Sequence, residues 1–132
     1  MKRLPTLLAL AAVLCAPVLV HADAPLPIQA DTDGVTGAWN ITGQVEGFPV
    51  TVRCDFQRHG DAVGGVCHDD GTGAAHMISS GSVRGDKITW SYKRRFLLAM
   101  FEPQYHGQIV GESMKGDISV AGHSGAFTAD RD

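Results

Sequence analysis

The groups in this 132-residue chain that could do chemistry are few and scattered. The densest is His68-Asp69-Asp70, with His76 close behind. Three or four such side chains converging would hold zinc, but neighbours on an extended strand point to opposite faces. The group therefore reads as a polar hairpin loop, with His59 as a turn residue beside Gly60-Asp61, and no metal is expected. Ser79, Ser80 or Ser124 next to His123 could pair a nucleophile with a base, yet no Gly-x-Ser-x-Gly elbow accompanies them. No catalytic residue and no cofactor is expected, and the chain does not read as an enzyme. What remains is a thiol pair, Cys54 and Cys67, and an aromatic group, Trp90, Tyr92, Phe101 and Tyr105.

Those residues need elements to hold them. From Val35 onward short runs alternate apolar with polar and are punctuated by Gly-containing pairs, the pattern of antiparallel β structure. The clearest strands carry Val50, Val52, Cys54 and Phe56 on one face, and Ile88, Trp90 and Tyr92 on another. Strands are predicted near 36–45, 48–58, 62–69, 74–84, 86–95, 100–110, 113–121 and 124–130. The fold class is all-β, an antiparallel up-and-down barrel of about eight strands or a strongly curled meander.

Two-residue turns fix which residues oppose one another. A turn at Gly60-Asp61 sets Cys54 opposite Cys67 and Phe56 opposite Gly65, at the separation a disulfide needs. Glu46-Gly47 sets Trp39 against Cys54 and Ile41 against Val52. Gly85-Asp86 opposes Val83 to Ile88 and Gly81 to Trp90, and accounts for Arg84-Gly85-Asp86 as a turn rather than an adhesion motif. Gly111-Glu112 opposes Ile109 to Met114, and Gly122-His123 is expected to oppose Ile118 to Phe127. The segment from Lys93 to Phe101 breaks the alternation: Lys93-Arg94-Arg95 runs into Phe96-Leu97-Leu98-Ala99-Met100-Phe101. It reads as a long hairpin turning at Leu97-Leu98, opposing Lys93 to Glu102 and Trp90 to Tyr105, or as a protruding apolar tip.

The start of the chain sets the compartment. Met1-Lys2-Arg3 precedes an apolar run from Leu4 to Val20, and Val20-His21-Ala22 suits a signal peptidase, so residues 1–22 are expected to be a removed signal peptide. Leu14 stands before Cys15 where a lipoprotein site would have a small residue, so Cys15 leaves with the leader and no lipid or transmembrane anchor is expected. Residues 23–34 read as a flexible tail and 35–132 as one β-barrel domain, periplasmic or secreted, where a Cys54–Cys67 disulfide persists. With 11 Lys+Arg against 14 Asp+Glu, a nucleic-acid partner is not expected.

Gly37-Ala38-Trp39 in the first strand and Arg131 after Phe127-Thr128-Ala129 resemble the calycin pattern of lipocalins, and avidin-like barrels share the architecture. The resemblance implies that the Arg131 guanidinium stacks on the Trp39 indole and closes one end of the barrel.

The expected function is binding of a small apolar or amphipathic ligand among Trp90, Tyr92, Phe101 and Tyr105 at the open end. The alternatives are a protease-inhibitor-like or protein-interaction module using the N-terminal tail or the Phe96 to Phe101 tip, and a structural envelope protein without a ligand.

Overall fold

The computed structural model describes residues 33–132; the expected leader and residues 23–32 of the expected tail lie outside the described residues. Ten strands follow in order: β1 (Gly37–Val45), β2 (Phe48–His59), β3 (Ala62–Asp69), β4 (Ala75–Arg84), β5 (Lys87–Tyr92), β6 (Arg94–Phe96), β7 (Ala99–Phe101), β8 (Gln104–Val110), β9 (Ser113–Val120) and β10 (His123–Arg131). Eight close into an antiparallel barrel in the order β1-β10-β9-β8-β5-β4-β3-β2, while β6 and β7 pair only with each other.

Closure follows from period-two alternation. Val52, Cys54 and Phe56 of β2 are buried while Thr51, Arg53 and Asp55 between them are exposed, and Phe127 and Ala129 of β10 repeat the pattern. Every strand thus turns one face inward, and an eight-stranded barrel is just wide enough for side chains to fill it. Three of the interior aromatics face a strand that offers no side chain: Phe56 opposes Gly65, Trp90 opposes Gly81, and Phe127 opposes both Gly43 and Gly116.

The turn arithmetic holds around most of the barrel. Trp39 opposes Cys54, Cys54 opposes Cys67, Val83 opposes Ile88, Ile109 opposes Met114, and Trp90 opposes Tyr105. Cys54 and Cys67 form the disulfide, with Cα atoms 4.0 Å apart.

The last hairpin corrects the expectation. His123 opposes Val120, so Ile118 faces Gly125 rather than Phe127. The turn is Ala121-Gly122, both left-handed at φ of 50° and 80°, two residues that together match the twist of a tight hairpin. The shift lets the Phe127 ring lie across Gly116.

The predicted strands over 86–95 and 100–110 are each divided. Pro103 has no N–H to give a ladder and separates β7 from β8, so the hairpin continues past the barrel as a separate two-stranded arm. Its register, Arg94 to Phe101 and Phe96 to Ala99, keeps the turn at Leu97-Leu98.

The barrel has two unlike ends. Opposite the arm, residues 33–36 cross beneath Trp39: the indole Nε1 donates to the Val35 carbonyl at 2.9 Å, and the Arg131 guanidinium carbon stands 4.6 Å over the ring. Arg131 also donates to the Thr36 carbonyl. Asp33 ties the segment down, accepting from the Val35 and Thr36 N–H groups at 2.7 Å each.

Candidate functional site

A column of rings runs through the barrel toward the arm. Phe56 meets Trp90 edge-on at 5.0 Å, and Trp90 stacks on Tyr105 at 4.7 Å with planes 4° apart. Tyr105 leans on Tyr92 at 5.8 Å, Tyr92 stacks on His76 at 5.2 Å, and Phe127 packs edge-on against both Trp90 and Tyr105. The structure therefore brings together Trp90, Tyr92 and Tyr105, three of the four aromatics expected to line a ligand site. Their exposures are 2%, 0% and 1%, so their faces are spent on one another and a guest among them would have to displace a ring. Phe101 stands apart, partly exposed on β7. Surface depressions lie elsewhere, on the outer side of β1 and β10 at Thr42, Gln44 and Thr128, and of β8 to β10 at Gln108, Lys115 and Asp130.

The two tyrosine hydroxyls meet at 2.8 Å, and either can donate. Burial pushes both phenols above their usual value, Tyr105 furthest, because no solvent is at hand for a phenolate.

A polar group unforeseen as a unit sits at the arm end. Asp69 Oδ2 lies 3.0 Å from His76 Nε2 and 3.3 Å from Arg94 Nη2, and the carboxylate is almost fully buried. Asp69 and His76 lie within the strands predicted near 62–69 and 74–84, on β3 and β4, and point inward rather than standing out as a polar hairpin loop. Asp69 is in phase with Val63 and Cys67, and His76 with Ile78. A charged residue falling in step with a core face is the signal that could have found them. The third member of the group is Arg94, the first residue of β6, a cation and not a metal ligand. Among the described residues no three His, Cys, Asp or Glu side chains converge. Asp69 Oδ1 and Trp90 Nε1 are buried without a protein hydrogen-bond partner.

Beside it, Ser79 stands as the extra residue of a bulge between Ile78 and Ser80. Its hydroxyl and that of Ser91 both donate to Glu102 Oε1 at 3.1 Å. Arg94 and Glu102, at the two feet of the arm, are thus fastened to β3, β4 and β5. Among the described residues no serine hydroxyl bonds a histidine: the Ser79 hydroxyl has the Ser91 carbonyl and Glu102 as its acceptors, and His123 pairs with Glu46 at 2.8 Å.

Among the described residues the arm holds most of the exposed large apolar side chains. Leu98 is fully exposed, Leu97 81%, Phe96 60% and Met100 56%. Among the described residues seven large apolar side chains are exposed; Phe48 and Met77 lie in the same half as the arm, and only Val110 lies toward the other end. Among the described residues no helix is long and apolar enough to cross a membrane.

No protein-family model matches the chain, and no curated protein matches it closely enough to count as a relative.

Proposed function

We propose that the chain is an exported, calycin-like, non-catalytic barrel that acts by surface contact, with the β6–β7 arm as its contact end. The observation that carries this reading is the polarised exposure: among the described residues, six of the seven exposed large apolar side chains lie toward one end of the molecule, four of them on the arm. Exposed apolar surface gathered on one hairpin marks an interaction site, because leaving it in water costs free energy that contact recovers. The packed ring column supports contact over enclosure, since it fills the interior where a small ligand would sit.

Export is supported by the Met1 to Ala22 leader pattern and by the Cys54–Cys67 disulfide, which belongs in an oxidising compartment. The calycin-like reading is supported by the closed eight-stranded barrel and by Arg131 over Trp39.

The test is an arm-less variant in which Asn-Gly replaces Arg95 to Met100, joining Arg94 to Phe101 in their existing register and keeping the Arg94–Asp69 ion pair. It should fold, and should no longer co-fractionate with the cell envelope of its host. Equal envelope association with and without the arm would overturn the reading.

A further inference from the structure

We infer that the arm docks on an anionic lipid surface, with its apolar turn in the boundary between headgroups and acyl chains and Lys93 and Arg95 at the level of the lipid phosphates. This rests on the arm being the contact end and names what it contacts.

The first argument is the distribution of apolar side chains around the tip. Arg95 opposes Met100 and Phe96 opposes Ala99, so alternation puts Phe96 and Met100 on opposite faces of the ribbon, with Leu97 and Leu98 across its end. A protein groove complements one face of a hairpin. An apolar fluid wets both faces and the end together; Leu97 and Leu98 supply apolar surface across the end, Phe96 and Ala99 on one face, and Met100 beside Arg95 on the other.

The second argument is charge. From Lys87 to Phe101 the chain contains no Asp or Glu, and Lys93, Arg94 and Arg95 stand directly behind the apolar turn. Arg94 is engaged by Asp69, whereas Lys93 and Arg95 are exposed and, among the described residues, make no ion pair. Of the nearby carboxylates, Asp69 is paired with Arg94 and His76 and Glu46 with His123, while Glu102 accepts from two serine hydroxyls that leave its charge in place. Asp70, exposed on the β3–β4 turn, and Glu102, level with Lys93 in the arm's register, have no cation partner among the described residues, so Arg95 is the charge nearest the apolar turn. Cations immediately behind an apolar tip match the order in which an anionic leaflet presents phosphate and then hydrocarbon.

The third argument is depth. The arm extends on the order of 15 Å beyond the barrel, enough to reach past a headgroup layer. Three residue pairs join β6 to β7, and the outer edges of both strands keep unpaired backbone groups that hydrocarbon would not tolerate. The arm therefore stops at the interface.

The experiment is flotation of the protein, purified as exported, with vesicles of phosphatidylethanolamine and phosphatidylglycerol and with vesicles of phosphatidylcholine alone. The wild type should float with the anionic vesicles, less so as salt is raised. Lys93→Gln/Arg95→Gln should weaken partition about tenfold or more, and Leu97→Ser/Leu98→Ser should abolish it, both with wild-type melting temperatures. Failure of the wild type to float, or flotation unchanged by Leu97→Ser/Leu98→Ser, overturns the lipid inference. Where that failure accompanies arm-dependent envelope association that vanishes after the envelope is stripped of protein, a protein is the partner and the contact-end reading stands. Envelope association indifferent to the arm removes both.

Discussion

Tyr92 and Tyr105 share one hydrogen bond at 2.8 Å inside the barrel, and neither hydroxyl reaches water. Removing one partner leaves the other buried and unsatisfied. Tyr105→Phe should therefore cost about 1–3 kcal/mol, while Tyr92→Phe/Tyr105→Phe should cost less than the single change. Denaturant unfolding of the three proteins checks the order.

The same pair makes the protein sensitive to alkali. Both phenols are raised above their ordinary value of 10.0, so their contribution to stability is complete below that pH and is lost as the pH climbs above it. These are the only two tyrosines in the chain. Ultraviolet absorbance should show no tyrosinate while the barrel is folded, then both appearing together as it unfolds. A tyrosine titrating independently near its ordinary value would contradict the buried pair.

Gly116 lies where two strands approach too closely for a side chain. A Cβ there would fall 1.8 Å from the His106 carbonyl oxygen, a backbone atom that cannot turn aside. Gly116→Ala should destabilise by about 3 kcal/mol or more. Gly64→Ala meets nothing within 4 Å and should stay within about 0.5 kcal/mol of wild type. Paired thermal melts test the contrast.

Arg131 closes the end opposite the arm by stacking on Trp39 and donating to Thr36, and its Nε stands 2.9 Å from Glu112 Oε2 off the N–H direction. Most of its worth should lie in the stacked plane. Arg131→Lys is expected to lose about 1 kcal/mol and Arg131→Ala about 2 kcal/mol, read from thermal melts.

The Cys54–Cys67 bridge closes a short loop, and Cys54→Ala/Cys67→Ala should lower stability by about 3 kcal/mol in denaturant. Reducing agent should shift the wild-type midpoint in the same direction and leave the variant unmoved.

Asp33 confers an acid limit. Burial pushes its carboxyl up, but the hydroxyl and N–H of Thr36, the Val35 N–H and Arg58 outweigh that and hold it below 3.8. Its contribution is present above that value and is lost as the pH falls through the lower folded value. Asp33→Asn should flatten the fall in stability below about pH 4.

Five of the eight barrel pairings were legible: four hairpins carry a glycine in their two-residue turn, the cysteines independently agree with one of them, and β5–β8 follows from a turn at Leu97-Leu98, whereas β3–β4 and β1–β10 are joined by no such turn. The β9–β10 register was not. Ala121 adopts a left-handed φ that residue type does not advertise, and only Gly116 facing Phe127 distinguishes the true pairing. The arm was legible as a hairpin but not as a separate sheet, since that depends on Pro103 interrupting a ladder already in register. The aromatic group was legible as sharing one face, but alternation says which residues point inward, not whether they fill the space they face. Asp69 and His76 are joined only by the inward phase of two neighbouring strands, which the polar cluster around them in the sequence masks.

The pairing of β1 with β10 brings the two ends of the fold side by side, and the Asp132 N–H bonds the Ala38 carbonyl at 2.9 Å. The ring of strands consequently has no topological beginning. Joining Asp132 to Val35 through a short linker and cutting between Gly60 and Asp61 would reorder the gene without moving a strand. A cargo domain spliced at Asp132 would hang from the pole away from the arm, leaving the molecule free to hold something at each pole at once.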